Sequence, residues 1–353
     1  MFFRRVLPVI TCLINLSFGV YAQAVTDTIN LSSVEIVGSI SPVRFAIKKS
    51  AVDLAPLPDI GVLLRSSPGV SGIRKGGSAV DPVIRGFRFS QLAVVAGNGI
   101  KVEGGCPNRM DPVTSHFESD DIESVEIIKG PYSFTLGPSL GGLVRLKLYK
   151  PSPYDNFQVH AKFRTSVSSN PAGYNQYVRI NGGSQRVYFG ISGSYKSFGD
   201  YRDGNGTRVS AAFSKFNYGA ALGFIPRENH EVILSLYRNY GRDIRYPALP
   251  MDEIVDNTTI VSADYHVKFM GGIIRKLDVS FYNSDVYHEM DNRFRPAYSQ
   301  VVAPYKGLMQ AVAKVDAANT GGRFEAHLVT GNHELRAGAD LEAAGKSGGR
   351  VTT

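Results

Sequence analysis

The chain has 353 residues, a formal net charge of +8, 37 glycines, 18 Tyr, 19 Phe and no Trp. The positive charge is spread along the chain rather than clustered, which argues against a nucleic-acid partner. After the N-terminal segment no stretch approaches the ~18 consecutive apolar residues of a spanning helix, so a membrane location requires a closed β-barrel, whose turns and interfacial girdles suit abundant glycine and aromatic residues.

Met1–Ala24 combines Arg4-Arg5, an apolar run from Val6 to Val20 and the small-x-small sequence Ala22-Gln23-Ala24. This is the pattern of a secretory signal peptide that is removed. Its removal takes Cys12 away and leaves Cys106 alone in an oxidising compartment. An odd exported cysteine implies an intermolecular disulfide, a reactive thiol or a metal ligand. A small buried hydrophobe is the bland alternative.

Residues 25–56 are polar and irregular, with short β-prone pieces such as Ser33–Val37, and read as a flexible arm. Residues 57–150 read as a compact α+β region. A short helix is expected over Asp59–Ser67, ended by Pro68-Gly69. Short strands are expected at Val83–Gly86, Leu92–Val95 and Ser124–Ile128, between Gly-rich turns.

From Asn156 onward the chain alternates with period two. In Arg186–Lys196, Val187, Phe189, Ile191 and Tyr195 share one face, and Tyr188, Ser192, Ser194 and Lys196 share the other. A wall between lipid and an aqueous lumen requires this alternation. About nine such strands are predicted, near 157–167, 174–183, 186–197, 207–222, 230–240, 258–271, 274–290, 310–329 and 332–343. Turns near Gly183, Arg227, Gly272 and Gly331 are short, whereas the connections at 198–206, 241–257 and 291–307 are mostly longer. That asymmetry belongs to outer-membrane barrels rather than to soluble sandwiches. The fold expected is a β-barrel membrane protein preceded by an α+β domain, with residues 151–353 forming its first strands.

Four stretches carry a family resemblance: Leu63–Val70, Asp81–Gly86, Ile122–Pro131, and Gly137 with Gly141–Val144. In this order they resemble the plug domain of TonB-dependent outer-membrane receptors. Ile73–Ser78 and Cys106-Pro107-Asn108-Arg109-Met110-Asp111 are most similar to the TonB-dependent copper receptors within that family. The resemblance implies residence in the bacterial outer membrane and a barrel embedded in its lipid. It also implies an N-terminal TonB box for the energy-transducing TonB complex, with Asp27–Leu31 and Val34–Val37 as the candidates. Family barrels are large (~22 strands around a plug), so the chain, ending at Val351-Thr352-Thr353, is expected to be truncated within its barrel.

The resemblance further implies a copper site made of a Cys-x-x-x-Met pair on the plug and a His-x-Met pair on the barrel wall, here Cys106/Met110 and His288/Met290. A thiol, two thioethers and an imidazole suit Cu(I) as the transported ligand. Cys106 and Met110 can face one side if a tight turn or single helical turn joins them. In strand 274–290 the odd positions Leu277, Val279 and Phe281 should meet lipid, so the even-numbered His288 and Met290 should face the plug near the external rim. His116 is a further nearby ligand candidate, and Met251 and Met309 lie in or beside long loops. No catalytic arrangement stands out, and Gly345-Lys346-Ser347 lacks the first glycine of a P-loop because Asp340 occupies that position. A receptor for a metal chelate, siderophore or other nutrient, or an adhesin that transports nothing, are the competing functions.

Overall fold

The computed structural model describes residues 44–48, 59–137, 139–294 and 311–352. The expected signal segment with Cys12, both TonB-box candidates, Met309 and most of the 291–307 connection lie outside these residues.

The plug is built from β1 (Arg44–Lys48), α1 (Gly61–Arg65), β2 (Val70–Ile73), β3 (Asp81–Ile84), β4 (Phe87–Arg88), β5 (Leu92–Ala96), β6 (Ile122–Lys129) and β7 (Gly142–Leu148). One sheet has the order β1-β6-β7-β5 and a second the order β2-β3-β4. β5 runs parallel to β7, while β1 and β7 pair antiparallel with β6. Part of the expected flexible arm is therefore a sheet edge, since Arg44–Lys48 pairs in register with Ile128–Ser124.

Helix α1 is shorter than expected. Asp59 accepts the Gly61 N–H at 2.8 Å and ion-pairs with Arg74, which forms a turn ahead of the helix rather than its first residue. Its far end stops where the Ser66 hydroxyl bonds to Leu63 O at 2.6 Å, and Gly69 then takes the left-handed φ of 71°. Leu63, Leu64, Ile84, Val125, Ile127 and Val144 form the buried centre of the plug.

The wall is a nine-stranded sheet with short excursions: β8 (Gln158–Ser169), β9 (Ala172–Gly183), β10 (Val187–Phe198), β11 (Tyr201–Arg202), β12 (Arg208–Val209), β13 (Phe213–Phe224), β14 (His230–Ile244), β15 (Asp252–Lys268), β16 (Ile274–Asp291), β17 (Ala311–Thr330) and β18 (His333–Thr352). β11 and β12 form a separate hairpin, and the other nine strands pair antiparallel in chain order. Each of the nine has at least 12 residues, enough for the ~9–11 that a tilted strand needs to span a bilayer. No helix among the described residues is long and apolar enough to cross a membrane.

The strand beginning near 207 instead starts at Phe213, because Asp200 accepts the Ala211 and Ala212 N–H groups and folds the intervening chain into the hairpin. β15 begins earlier than expected, at Asp252, so the 241–257 connection shrinks to the residues between Ile244 and Asp252. β18 continues to Thr352 through a glycine-rich run that carries little alternation.

The alternation has the anticipated sides. Tyr188, Ser194 and Lys196 of β10 are buried, while Val187, Ile191 and Tyr195 are exposed, as are Leu222, Leu234, Phe281 and Phe324 on neighbouring strands. In water such a band is an aggregation hazard, whereas a lipid-facing surface requires it. Strands at both edges of the sheet touch the plug. Arg164 of β8 pairs with Asp120 at 3.1 Å, and Lys346 of β18 pairs with Glu103 at 2.7 Å. The sheet therefore curls around the plug.

Polar side chains fasten the two parts. The Glu118 carboxylate receives Lys196 at 2.7 Å, Ser194 at 2.9 Å and Asn217 at 3.2 Å. Asp121 accepts the Tyr177 hydroxyl at 2.7 Å and Ser192 at 3.0 Å. Burial nevertheless pushes the Asp121 carboxyl up to about 6; the Tyr177 hydrogen bond opposes this and the Glu118 charge adds to it. A carboxyl raised above its unfolded value of ~3.9 penalises the folded state where it is ionised, so the penalty fades as pH falls through the folded pKa. Plug docking is expected to gain on the order of 2–3 kcal/mol between about pH 7 and pH 4 from this residue. Asp121→Asn should flatten that part of the profile, read by hydrogen exchange of plug amides against pH. An unaltered slope in the variant would refute the assignment.

Candidate metal centre between plug and wall

Cys106 opens a β-turn rather than a helical turn. The Arg109 N–H bonds to Cys106 O at 2.9 Å, with Pro107 at the second position, where its fixed φ fits. Arg109 takes a left-handed φ of 52° and is anchored by its guanidinium on Asp81 (3.0 Å from Nη2 to Oδ1). The chain then returns so that the Asp111 carboxylate accepts the N–H groups of both Gly105 and Cys106, the latter at 3.0 Å. Asp111 thereby closes the loop that carries the cysteine.

This loop lies directly on the wall. A Cβ on Gly105 would sit 2.5 Å from His288 Cβ and 3.5 Å from Val315 Cβ, so only glycine permits the approach. His288 and Met290 share the inner face of β16 and are buried. Cys106 Sγ lies 4.0 Å from Met290 Sδ. His288 is fully buried, its Nδ1 is 3.7 Å from Asp111 Oδ2, and neither ring nitrogen has a hydrogen-bond partner among the described residues. Donor atoms of Cys106, Asp111 and His288 all lie within 4.8 Å of one another. Met110 is 1% exposed in the same buried cluster as Cys106 and Met290, and Met251 packs there too. Cys106, His288 and Met290 are thus brought together, and Met110 lies in the same buried cluster as Cys106 and Met290. β16 runs in the same sense as β8, the first strand after the plug, so this place lies at the far end of the wall.

His116, the further candidate, is occupied. Nδ1 contacts Thr258 Oγ1 at 2.7 Å and Nε2 contacts Asp111 O at 3.2 Å. Burial lowers its pKa, which favours the neutral ring. The Cys106 thiol is pushed up to about 11, chiefly by burial, while hydrogen bonds from the Met110 and Asn108 backbone pull it down. A nucleophilic cysteine needs the opposite shift.

Sequence reasoning missed the acidic side of the centre. Asp111 is not among the ligand candidates of the sequence, although a carboxylate five residues after Cys106 is placed to cap that loop. Glu253 and Asp256 stand opposite Met290 and His288 on β15. They lay in an assumed loop because Asp252–Asp256 lacks alternation. Tyr246 ties both sides together, its hydroxyl oxygen 2.6 Å from Met110 O and 2.9 Å from Glu253 Oε2.

Residues 32–143 match the family model of the TonB-dependent receptor plug domain. With the curled sheet of long amphipathic strands around it, this is the architecture of the TonB-dependent receptors of the bacterial outer membrane. Among solved structures it is similar to the copper transporter OprC, at 25% identity and a TM-score of 0.79 over 88% of this chain and 47% of that one. It shares the fold of the FrpB iron transporter from Neisseria meningitidis (F3-3 variant), at 17% identity and TM-score 0.63 over 82% of this chain and 46% of that one. The same holds for the ferric citrate transporter FecA, at 15% identity and TM-score 0.62 over 88% and 48%. The chain spans about half the length of these structures. A search of curated proteins found no match.

Proposed function

We propose that this receptor captures copper, as Cu(I), and passes it into the periplasm. The supporting observation is the approach of Cys106 Sγ to Met290 Sδ, 4.0 Å apart across two domains, beside the unpartnered imidazole of His288. Thiolate and thioether donors select a soft monovalent ion. One thiolate balances its charge, which lowers the cost of burying it. Similarity to OprC, named a copper transporter, points the same way.

The receptor holds the ion between Cys106 and Met110 on the plug and His288 and Met290 on the wall, and the TonB complex pulls through the arm within residues 25–56. Displacing the plug separates the two ligand pairs and frees the ion inward. The domain order behind this is a signal peptide at 1–24, the arm, a plug over 57–150 and barrel strands over 151–353. The test is retention after desalting, with purified receptor offered Cu(I), Ag(I) and a ferric chelate in parallel. Retention of a single Cu(I) or Ag(I) and no iron is expected. Retention of the chelate with neither soft ion would overturn the copper reading in favour of a chelate receptor.

A further inference from the structure

His288 belongs to a second group of donors that contains no sulfur. Glu253 and Asp256 are three residues apart, so on a regular strand they would point to opposite faces. A register shift between Glu253 and Val255 inserts Ile254 as an extra residue and turns both carboxylates inward. Donor atoms of Glu253, Asp256 and His288 lie within 4.8 Å of one another, and all three residues are at most 1% exposed. Glu253 Oε1, both Asp256 carboxylate oxygens and both His288 nitrogens lack hydrogen-bond partners among the described residues. The Lys215 ammonium stands 3.9 Å from Asp256 Oδ2 and donates to Ser115 O at 3.0 Å instead. Glu253 Oε2, by contrast, has the Tyr246 hydroxyl at 2.9 Å. Buried polar groups are normally satisfied, and three carboxylate oxygens without hydrogen bonds beside such an imidazole are costly.

We propose that Glu253, Asp256 and His288 form a second cation site, for a divalent ion of borderline hardness such as Zn(II) or Cu(II). Two carboxylates and an imidazole are suitable donors for such an ion, and the two carboxylates neutralise its charge. Ca(II) takes six to eight oxygen ligands, more than this group supplies. The bulge is the structural device, since it converts an alternating strand into one that presents both acids to the same point. The site needs neither Cys106 nor a methionine, so it stands whether or not the receptor carries copper. His288 is the shared member, and an imidazole has two nitrogens to offer.

The test uses purified receptor in detergent, with Zn(II) affinity measured by chelator competition and Co(II) as a spectroscopic probe. A single Zn(II) should bind, and Cys106→Ala should retain it. Bound Co(II) should give visible ligand-field bands without the near-ultraviolet thiolate charge-transfer band. Glu253→Gln and Asp256→Asn should each weaken Zn(II) at least about tenfold, toward the effect of losing a supporting partner or more, while Cu(I) binding persists. His288→Ala should weaken both ions. No Zn(II) binding by the unmodified receptor, loss of Zn(II) with Cys106→Ala, or a thiolate band from Co(II) would each overturn the proposal. The spectrum of the unmodified protein decides the donor set even if a carboxamide variant fails to fold. Failure of Cu(I) retention leaves this result untouched, so the two readings fall separately.

Discussion

Cys106→Ala is expected to weaken Cu(I) binding more than about a hundredfold, a loss larger than that of removing an outer-shell partner from a metal site. The thiolate is the sole anionic soft donor of the set. Without it the ion keeps two thioethers and an imidazole, all neutral donors, and loses the one anionic ligand bonded to it in a buried place. The nearby carboxylates of Asp111 and Glu253 are hard donors and substitute poorly for Cu(I). The substitution should cost little stability, because Cys106 is small and its backbone, not its sulfur, makes the contacts with Asp111. Competition titration of Cu(I) with purified receptor and variant decides this. Equal affinities would remove Cys106 from the site.

Asp111→Ala is expected to act on the same binding without touching a sulfur. It strands the N–H groups of Gly105 and Cys106 in a loop packed against β16. Each buried donor left without a partner costs about 1–3 kcal/mol, so the loop should lose on the order of 2–6 kcal/mol of local stability. Hydrogen exchange at Gly105 and Cys106 should accelerate accordingly, and Cu(I) affinity should fall because Cys106 no longer meets Met290. Asp111→Asn keeps one acceptor oxygen and should lie between the two. If Asp111→Ala left both exchange and affinity unchanged, the loop would owe its position to something else.

The wall was legible because its signal is local. In β10 and β16 each residue faces away from the next, and lipid on one side makes a single register tolerable. Burial of His288 and Met290 on the inner face of β16 follows from that parity. Where the signal was not local it was lost. Asp252–Asp256 looked like loop because the bulge at Ile254 interrupts alternation at the point where two acids turn inward. Arg44–Lys48 looked like arm because an edge strand pairs on one side only and has little apolar pattern of its own. The choice of Cys106, Met110, His288 and Met290 rested on a family resemblance, since spacing alone left each of them open to plain packing.

By itself, then, the sequence determined two parts: a plug with family motifs, and strands with a lipid face and an inner face. These depend on patterns within a few residues. Only the tertiary structure decided that Cys106 and Met290, 184 positions apart, approach to 4.0 Å. It alone joined His288 to an acidic pair as well as to a thiol. The physical reason is that a site between plug and wall is made by packing one domain on another. Backbone periodicity says which way each side chain points, while the curl of the sheet and the glycine contact at Gly105 choose what it meets.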